Sequence, residues 1–270
     1  MSKGGVYLKI VTPKEKKKEV RQQLILLGTG LGLCIGGLYL VNCNQYRADT
    51  IREIQGTLSS DEIIKNNQQA EANKKSEKSS KDGKGADQNV IGRENIVEAS
   101  VIRGKMDYES VSIPTLKEVK EANKPENRRR AMSAVSGTIS IPSVDIKLNI
   151  LEGTNATNML YGATTMLPNQ KIGKGNYVLA GHNMKERGVL FSNLIWNDKA
   201  QVHKGNRIYL SNGRKTYTYR VTYTETVNMH NTKCLEESEK PVITLFTCTK
   251  DTYNTGKTLY RFVVHGELMK

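Results

Sequence analysis

Near the end of the chain the stretch ITLFTCTKDTYNTGKTLYRFVV, Ile243 to Val264, sets one cysteine after a run of apolar residues and threonines, and an arginine thirteen positions later. A free thiol ionises near pH ~8.5 and its thiolate is the nucleophile, so few cysteines react at neutral pH without help. A neighbouring cation favours the thiolate, and a histidine can take a proton and later return it. Cys248 is therefore either a small packed residue or a nucleophile served by Arg261. If VITLFTC and LYRFVV pair as an antiparallel hairpin, the midpoint between Cys248 and Arg261 falls between Asn254 and Thr255, with Gly256 next to supply the turn. That register sets Cys248 opposite Arg261.

Four histidines compete for the role of base. His203 in QVHKGN and His230 in NMHNTK stand in polar loop sequence, and His265 lies within the last strand-like run. His182 differs: NYVLA is an apolar strand ended by Gly181, and His182 is the first residue with acid–base chemistry beyond it. A strand end on the rim of a rigid scaffold is where a reactive group can be presented.

The elements that must hold these residues begin near Ala131. GTISIP, IKLNIL, NYVLAG, RIYLS, KTYTYRVTYTETV, VITLFTC and LYRFVVHGEL each read as short alternating strands broken by glycine and asparagine. Seven such runs leave little room for long helices, so an all-β barrel is expected, with helical turns around NATNMLYGA and GVLFSNLIW. The four cysteines are Cys34, Cys43, Cys234 and Cys248. A Cys234–Cys248 disulfide would quench the thiol, and no further cysteine spacing supports a structural staple, so two free thiols are expected. No C-x-x-C or H-x-x-x-H spacing supports zinc.

Charge and hydropathy set the compartment. The net charge is +14: residues 1–23 contribute +5, residues 131–270 +7 and the segment between +2. Such a surface suits nucleic acid, anionic lipid or an anionic wall polymer. Leu24 to Val41 reads LILLGTGLGLCIGGLYLV, eighteen residues without a charge. As a helix it would be roughly 27 Å long, close to a hydrocarbon core of about 30 Å. Five cations from Lys14 to Arg21 precede it, so the positive-inside rule sets residues 1–23 in the cytoplasm, 24–42 as a transmembrane signal anchor and the rest outside. Nucleic acid is thereby excluded as a partner. Gly28, Gly32 and Gly36 recur every four residues and would allow a homodimer through close helix contact, although glycine is common in membrane helices generally.

Residues 43–130 read as an extracytoplasmic stalk. Ile51, Ile54 and Leu58 stand at helical spacing, KNNQQAEANKKSEKSSKDGKGADQN reads as a disordered tether, and SIPTLKEVKEANKP encodes a helix from near Pro114 to before Pro125. The run Arg128–Arg130 reads as a solvated hinge. A polar tether is expected here rather than a cover for an active-site groove.

On these motifs residues 131–270 resemble the sortases, cysteine transpeptidases of the Gram-positive cell envelope. TLFTC, Thr244–Cys248, fits the family's TLxTC signature and LYRF supplies the arginine after it; GNYVLAGHNM fits the stretch that bears the family histidine. GTISIPSVDIKLNILEG resembles the opening strands and LFSNL the segment after the histidine. The resemblance implies an eight-stranded barrel with Cys248 as nucleophile, His182 as acid/base, Arg261 as donor to substrate and oxyanion, and Thr247 helping to hold substrate. It implies cleavage of an LPXTG-like sorting signal after threonine, a thioester on Cys248, and transfer of the surface protein to an amine of the lipid-linked peptidoglycan precursor.

Class A is the nearest subclass, since no second apolar span and no Asp-Pro-aromatic lid is present; GHNMK is also found in class B-like sequences. Some class A members bind calcium, but EGTNATNML has only Glu152 among neutral residues, so no metal and no cofactor is expected. Papain-like enzymes place cysteine before histidine, the reverse of the order here, and the L,D-transpeptidase Ser-His-Gly-Cys signature is absent. The remaining alternative is a membrane-tethered basic module that binds anionic wall polymer without catalysis.

Overall fold

The run VSGTISI forms strand β1, Val135–Ile141, and buries every second residue, because successive side chains on a strand point to opposite faces. The computed structural model describes residues 13–80, 103–184, 186–249 and 259–270. In it β1 is joined by β2 (Ile146–Leu151), β3 (Gly162–Thr165), β4 (Asn176–Ala180), a two-residue ribbon of β5 (Ile195–Trp196) and β6 (Lys199–Ala200), and then β7 (Arg207–Ser211), β8 (Thr216–Asn228), β9 (Val242–Cys248) and β10 (Tyr260–Leu268). Eight of these close into a barrel in the order β1-β2-β3-β4-β9-β10-β8-β7, with β7 returning to β1. Most neighbours are antiparallel, but β2–β3 and β4–β9 are parallel. Closure leaves no free sheet edge, and the interior fills with Ile139, Ile150, Leu179, Leu210, Tyr219, Leu245 and Val264.

Each of the seven runs read from the sequence is a barrel strand. The eighth, GATT at β3, shows no alternation because all four residues are buried. Its Gly162 passes so close to β2 that an added Cβ would lie 2.3 Å from the Asn149 carbonyl oxygen. Of the two expected helical turns, NATNMLYGA contains a 3-10 turn at Asn158–Leu160, while GVLFSNLIW is turn followed by strand β5.

The segment read as a stalk is part of the fold. The chain divides into two units, Met1–Tyr46 and Arg47–Lys270, and the second contains the whole of residues 47–134 that the structure describes. Helix α1, Pro13–Ile54, contributes its last residues to that unit: Ala48, Ile51 and Ile54 are buried in the same apolar cluster as the barrel interior. Helix α2, Ser60–Ser80, takes up the first sixteen residues of the expected tether. One apolar residue, Ile63, is buried, and amides do the rest. Asn66 Nδ2 donates to the carbonyls of Met132 (2.9 Å) and Val135 (3.2 Å), and Asn67 Nδ2 to that of Ser136 (3.0 Å). Low hydropathy concealed a helix docked by hydrogen bonds. The remainder of the tether, 81–89, lies outside the described residues.

Helix α3, Leu116–Ala122, begins where expected, with a capping box in which Thr115 and Glu118 bond reciprocally. Helix α4, Pro125–Ser133, corrects the hinge at Arg128–Arg130: proline is pre-organised for a first helical turn, and Arg128 reaches Glu53 at 3.3 Å.

The apolar run Leu24–Val41 falls within α1, with most of its side chains, including those at Gly28 and Gly32, outside the described residues. Among the described residues no helix is long and apolar enough to cross a membrane. Gly36 has open space around its Cα.

Candidate active site

The outer face of three adjacent strands carries the site. Strand β9 runs antiparallel to β10 and parallel to β4, and both registers are unbroken at its C-terminal end. Cys248 pairs with Arg261, the partner that symmetry about the hairpin midpoint predicts. The turn residues themselves lie outside the described residues. On the other side Ala180 pairs with Phe246, and the ladder continues with the Gly181 amide donating to the Phe246 carbonyl at 3.1 Å. Two residues beyond Ala180 and Phe246 on their respective strands come His182 and Cys248. The three expected residues therefore stand at one level across β4, β9 and β10.

Side-chain bonds hold this level together. Asn183 Nδ2 donates to the Cys248 carbonyl (2.8 Å), and the Met184 amide donates to the Ser192 hydroxyl (2.6 Å). Thr247, expected against substrate, is only 2% exposed, and its hydroxyl donates to the Gly181 carbonyl at 2.8 Å. Alternation turns Thr247 away from the face that Cys248 presents, so its direct reach is to the backbone before His182. Asn183 and Ser192 were not foreseen; the signal for Asn183 was its place beside His182.

His182 is 7% exposed. Burial pushes its imidazole down to about 4, while the carboxylate of Glu118 pulls partly the other way. The ring is therefore neutral at pH 7, able to accept a proton as a thiol gives one up. Glu118 in turn sits below the usual carboxylate range, because the Thr115 backbone amide and hydroxyl donate to it and His182 adds a smaller push. Arg261 is half-buried, with Nη1 donating to the Tyr260 carbonyl at 3.2 Å. The other histidines are elsewhere: His203 and His230 are exposed, and His265 bonds Glu225 at 2.9 Å and stacks on Tyr223. Cys234 and Cys248 are free thiols, with the Cys234 thiol pushed up by burial. Among the described residues no three His, Cys, Asp or Glu side chains gather as metal ligands would.

Below the reactive level the outer face is apolar. Val178 and Ala180 of β4, Phe246 of β9, Val263 of β10 and Val227 of β8 form, with Met159, a cluster separate from the barrel interior. Leu167 and Met166 from the β3–β4 loop and Leu235 from the β8–β9 loop pack on it. So does Val111, from a strap that runs from Arg103 to Thr115. The strap is tied down along its length. Arg103 bonds both carboxylate oxygens of Glu152 (3.1 and 3.2 Å) and Asn67 Oδ1 (2.6 Å). The amides of Gly104 and Asp107 donate to the carbonyls of Glu152 and Thr154, both at 2.8 Å. The Tyr108 hydroxyl donates to the Met166 carbonyl. Glu152, the one acid considered for calcium, is committed to this arginine. A tether free of the groove was expected; the strap instead packs against its floor.

The sortase domain family matches residues 139–269. Over 164 residues the chain is 40% identical to sortase A of Listeria monocytogenes, covering 61% of this chain and 68% of that protein. The chain belongs to the sortase family. Sortase A of Bacillus anthracis is 39% identical over 175 residues, 61% of this chain and 76% of its own length. A solved structure of Listeria monocytogenes sortase A, at 43% identity, covers 51% of this chain and 88% of its own, with a TM-score of 0.46. This sortase is thus a cysteine transpeptidase of the class that anchors surface proteins, and its similarity is to the A type. A barrel rim with a thiol, a neutral imidazole and a guanidinium at one level is suited to acyl transfer through a thioester.

Proposed function

We propose that this sortase cleaves an LPXTG-like sorting signal after its threonine and joins the surface protein to an amine of the lipid-linked peptidoglycan precursor, with Cys248, His182 and Arg261 as the reacting set. The observation that carries the reading is the shared level of the three residues across β4, β9 and β10. In acylation the Cys248 sulfur attacks the threonine carbonyl carbon as the neutral His182 ring takes the thiol proton. The C–N bond breaks, His182 returns that proton to the departing amine, and the acyl group remains on sulfur as a thioester. Arg261, which cannot lose its proton, stabilises the charge that develops on the carbonyl oxygen. The apolar cluster of Val178, Ala180, Phe246 and Val263 lies below the reactive level under Val111, Met166, Leu167 and Leu235, and the leucine and proline of such a signal would replace part of that cover. An amine then resolves the thioester.

The apolar run of residues 24–42 serves in this reading as a single-pass anchor with a cytoplasmic N-terminus and an extracytoplasmic barrel. It is supported by the charge-free run and the cations before it.

Intact-protein mass spectrometry of the full chain with an LPXTG peptide tests the reading. A Cys248-linked acyl adduct should form and disappear when triglycine is added. A folded, reduced protein that never acquires the adduct, across several sorting peptides, would refute it.

A further inference from the structure

The strap divides two spaces. On its far side Ser110 and Ser112 line a charged, polar cavity of about 780 Å³ between the strap, α3, α4 and the loop that follows β2, and no residue of β4, β9 or β10 contributes to it. On its near side Val111 packs on the apolar cluster of the outer face. At the foot of that cluster lies a polar network that the reacting set does not use.

Within TLFTC the first threonine, Thr244, has no part in the reacting set. Alternation puts it on the same face of β9 as Phe246 and Cys248, yet it is only 1% exposed. Its hydroxyl donates to Asn176 Oδ1 at 2.8 Å. Asn176, the first residue of β4, is buried as well, and its Nδ2 donates to the carbonyls of Cys234 and Glu236, both at 3.0 Å. Carbonyls can only accept, so the amide has one satisfied orientation. What these bonds hold is the β8–β9 loop. From Thr232 to Lys240 it has no ladder partner, and among the described residues its hydrogen bonds to the barrel are the two from Asn176. The 3-10 turn within it, Lys233–Leu235, lays Cys234 and Leu235 on the apolar cluster. The opposite cover is held separately, since Gln170 donates to the Val178 carbonyl (2.8 Å) and accepts from the Leu167 amide (3.1 Å).

Lengths decide which part of a sorting signal meets this loop. A strand advances about 3.3 Å per residue, so Thr244 stands about 13 Å below Cys248 along β9. In an LPXTG signal the leucine lies three residues before the threonine, about 10 Å of extended chain. With the threonine carbonyl at Cys248 and the signal running down β9, the leucine falls between the levels of Phe246 and Thr244, against Leu235.

We propose that Asn176, oriented by Thr244, is a positioning residue for sorting-signal selectivity: it holds the β8–β9 loop so that Leu235 stays a fixed wall against the leucine of the signal. The role depends on Cys248 taking the acyl group of such a signal. Asn176 acts through the loop, so its loss loosens the seat of the leucine and leaves the acyl transfer step itself intact.

Steady-state transfer to triglycine, measured on the full chain with an LPATG peptide and its APATG counterpart, tests the assignment. Asn176→Asp keeps the shape of the side chain but turns a carboxylate oxygen on the two loop carbonyls. The preference for the leucine peptide in kcat/KM should fall about tenfold, through the leucine-peptide KM rather than kcat. Thr244→Val, which leaves Asn176 Oδ1 without its donor, should lower the same ratio about threefold. Leu235→Ala should lower it too, and Asn176→Asp added to Leu235→Ala should cost little more, because the wall that Asn176 holds is then gone. An unchanged ratio, an equal loss for both peptides in Asn176→Asp, or independent losses in the double variant would overturn the positioning role. Wild-type protein that forms the thioester but accepts both peptides equally would overturn it as well, and in each of these cases the transpeptidase reading stands. Wild-type protein that forms no thioester would overturn both.

Discussion

The apolar groove and the polar cavity share the strap as a wall, yet they are built differently. The groove floor is made of barrel strands: Val178, Ala180, Phe246 and Val263 owe their common face to period-two alternation and ladder register. The cavity is made of short helices and a strap held to the loop after β2 by the Arg103 side chain and the amides of Gly104 and Asp107. One side is rigid because the backbone ladder is closed; the other is held by bonds that can be removed singly. A barrel rim can therefore keep its reactive groups in place while the segments before it set what else approaches.

Breaking the ladder level should have the largest effect. Cys248→Ala should abolish the acyl adduct while the protein stays folded, because a strand-end thiol contributes little packing. Arg261→Lys should keep the charge but lose the planar donor pair, lowering kcat/KM on the order of 10²-fold for a lost oxyanion donor. Rates equal to wild type in the lysine variant would mean that only a point charge is needed.

His182 is next, because it belongs to the ladder level and feels α3. Its depressed pKa means that the unfolded chain takes up a proton that the folded protein refuses. Stability is therefore highest above the ordinary histidine range and falls as the pH drops from about 6.5 to about 4. The span corresponds to on the order of 3 kcal/mol. Urea unfolding at several pH values, compared with His182→Gln, should show the slope in wild type and a flatter profile in the variant. Parallel profiles would assign the acid sensitivity to other groups.

Thr247→Val tests positioning. Losing the hydroxyl that reaches Gly181 should cost about 1 kcal/mol of stability and lower kcat more than it raises the sorting-peptide KM. A change confined to KM would return Thr247 to the substrate. The smallest effect belongs to the helical side. Thr115→Ala removes the cap of α3 and should cost about 1 kcal/mol by denaturant midpoint, with the barrel strands unaffected. A cost near zero would show that α3 is held by Val119 and Ala122 alone.

Much of the ladder side was legible beforehand because its rules are local. The Cys248–Arg261 pairing followed from the symmetry of one hairpin, and His182 from its place at the end of an apolar strand. Strand β3 was not legible because a four-residue strand buried on both faces has no alternation to read. The helical side was misread as a tether because α2 docks through Asn66 and Asn67, whose polarity is the usual mark of solvated chain.

What the sequence by itself determined, then, is the hairpin that pairs Cys248 with Arg261, since neighbours along the chain and a two-residue period suffice to define it. What only the tertiary structure decided is the parallel pairing of β4 with β9, the commitment of Thr247 and Glu152 to other protein groups, and the strap that divides an apolar groove from a charged cavity. These depend on partners far apart in the chain, joined by polar groups whose bonds leave no periodic trace in the order of residues.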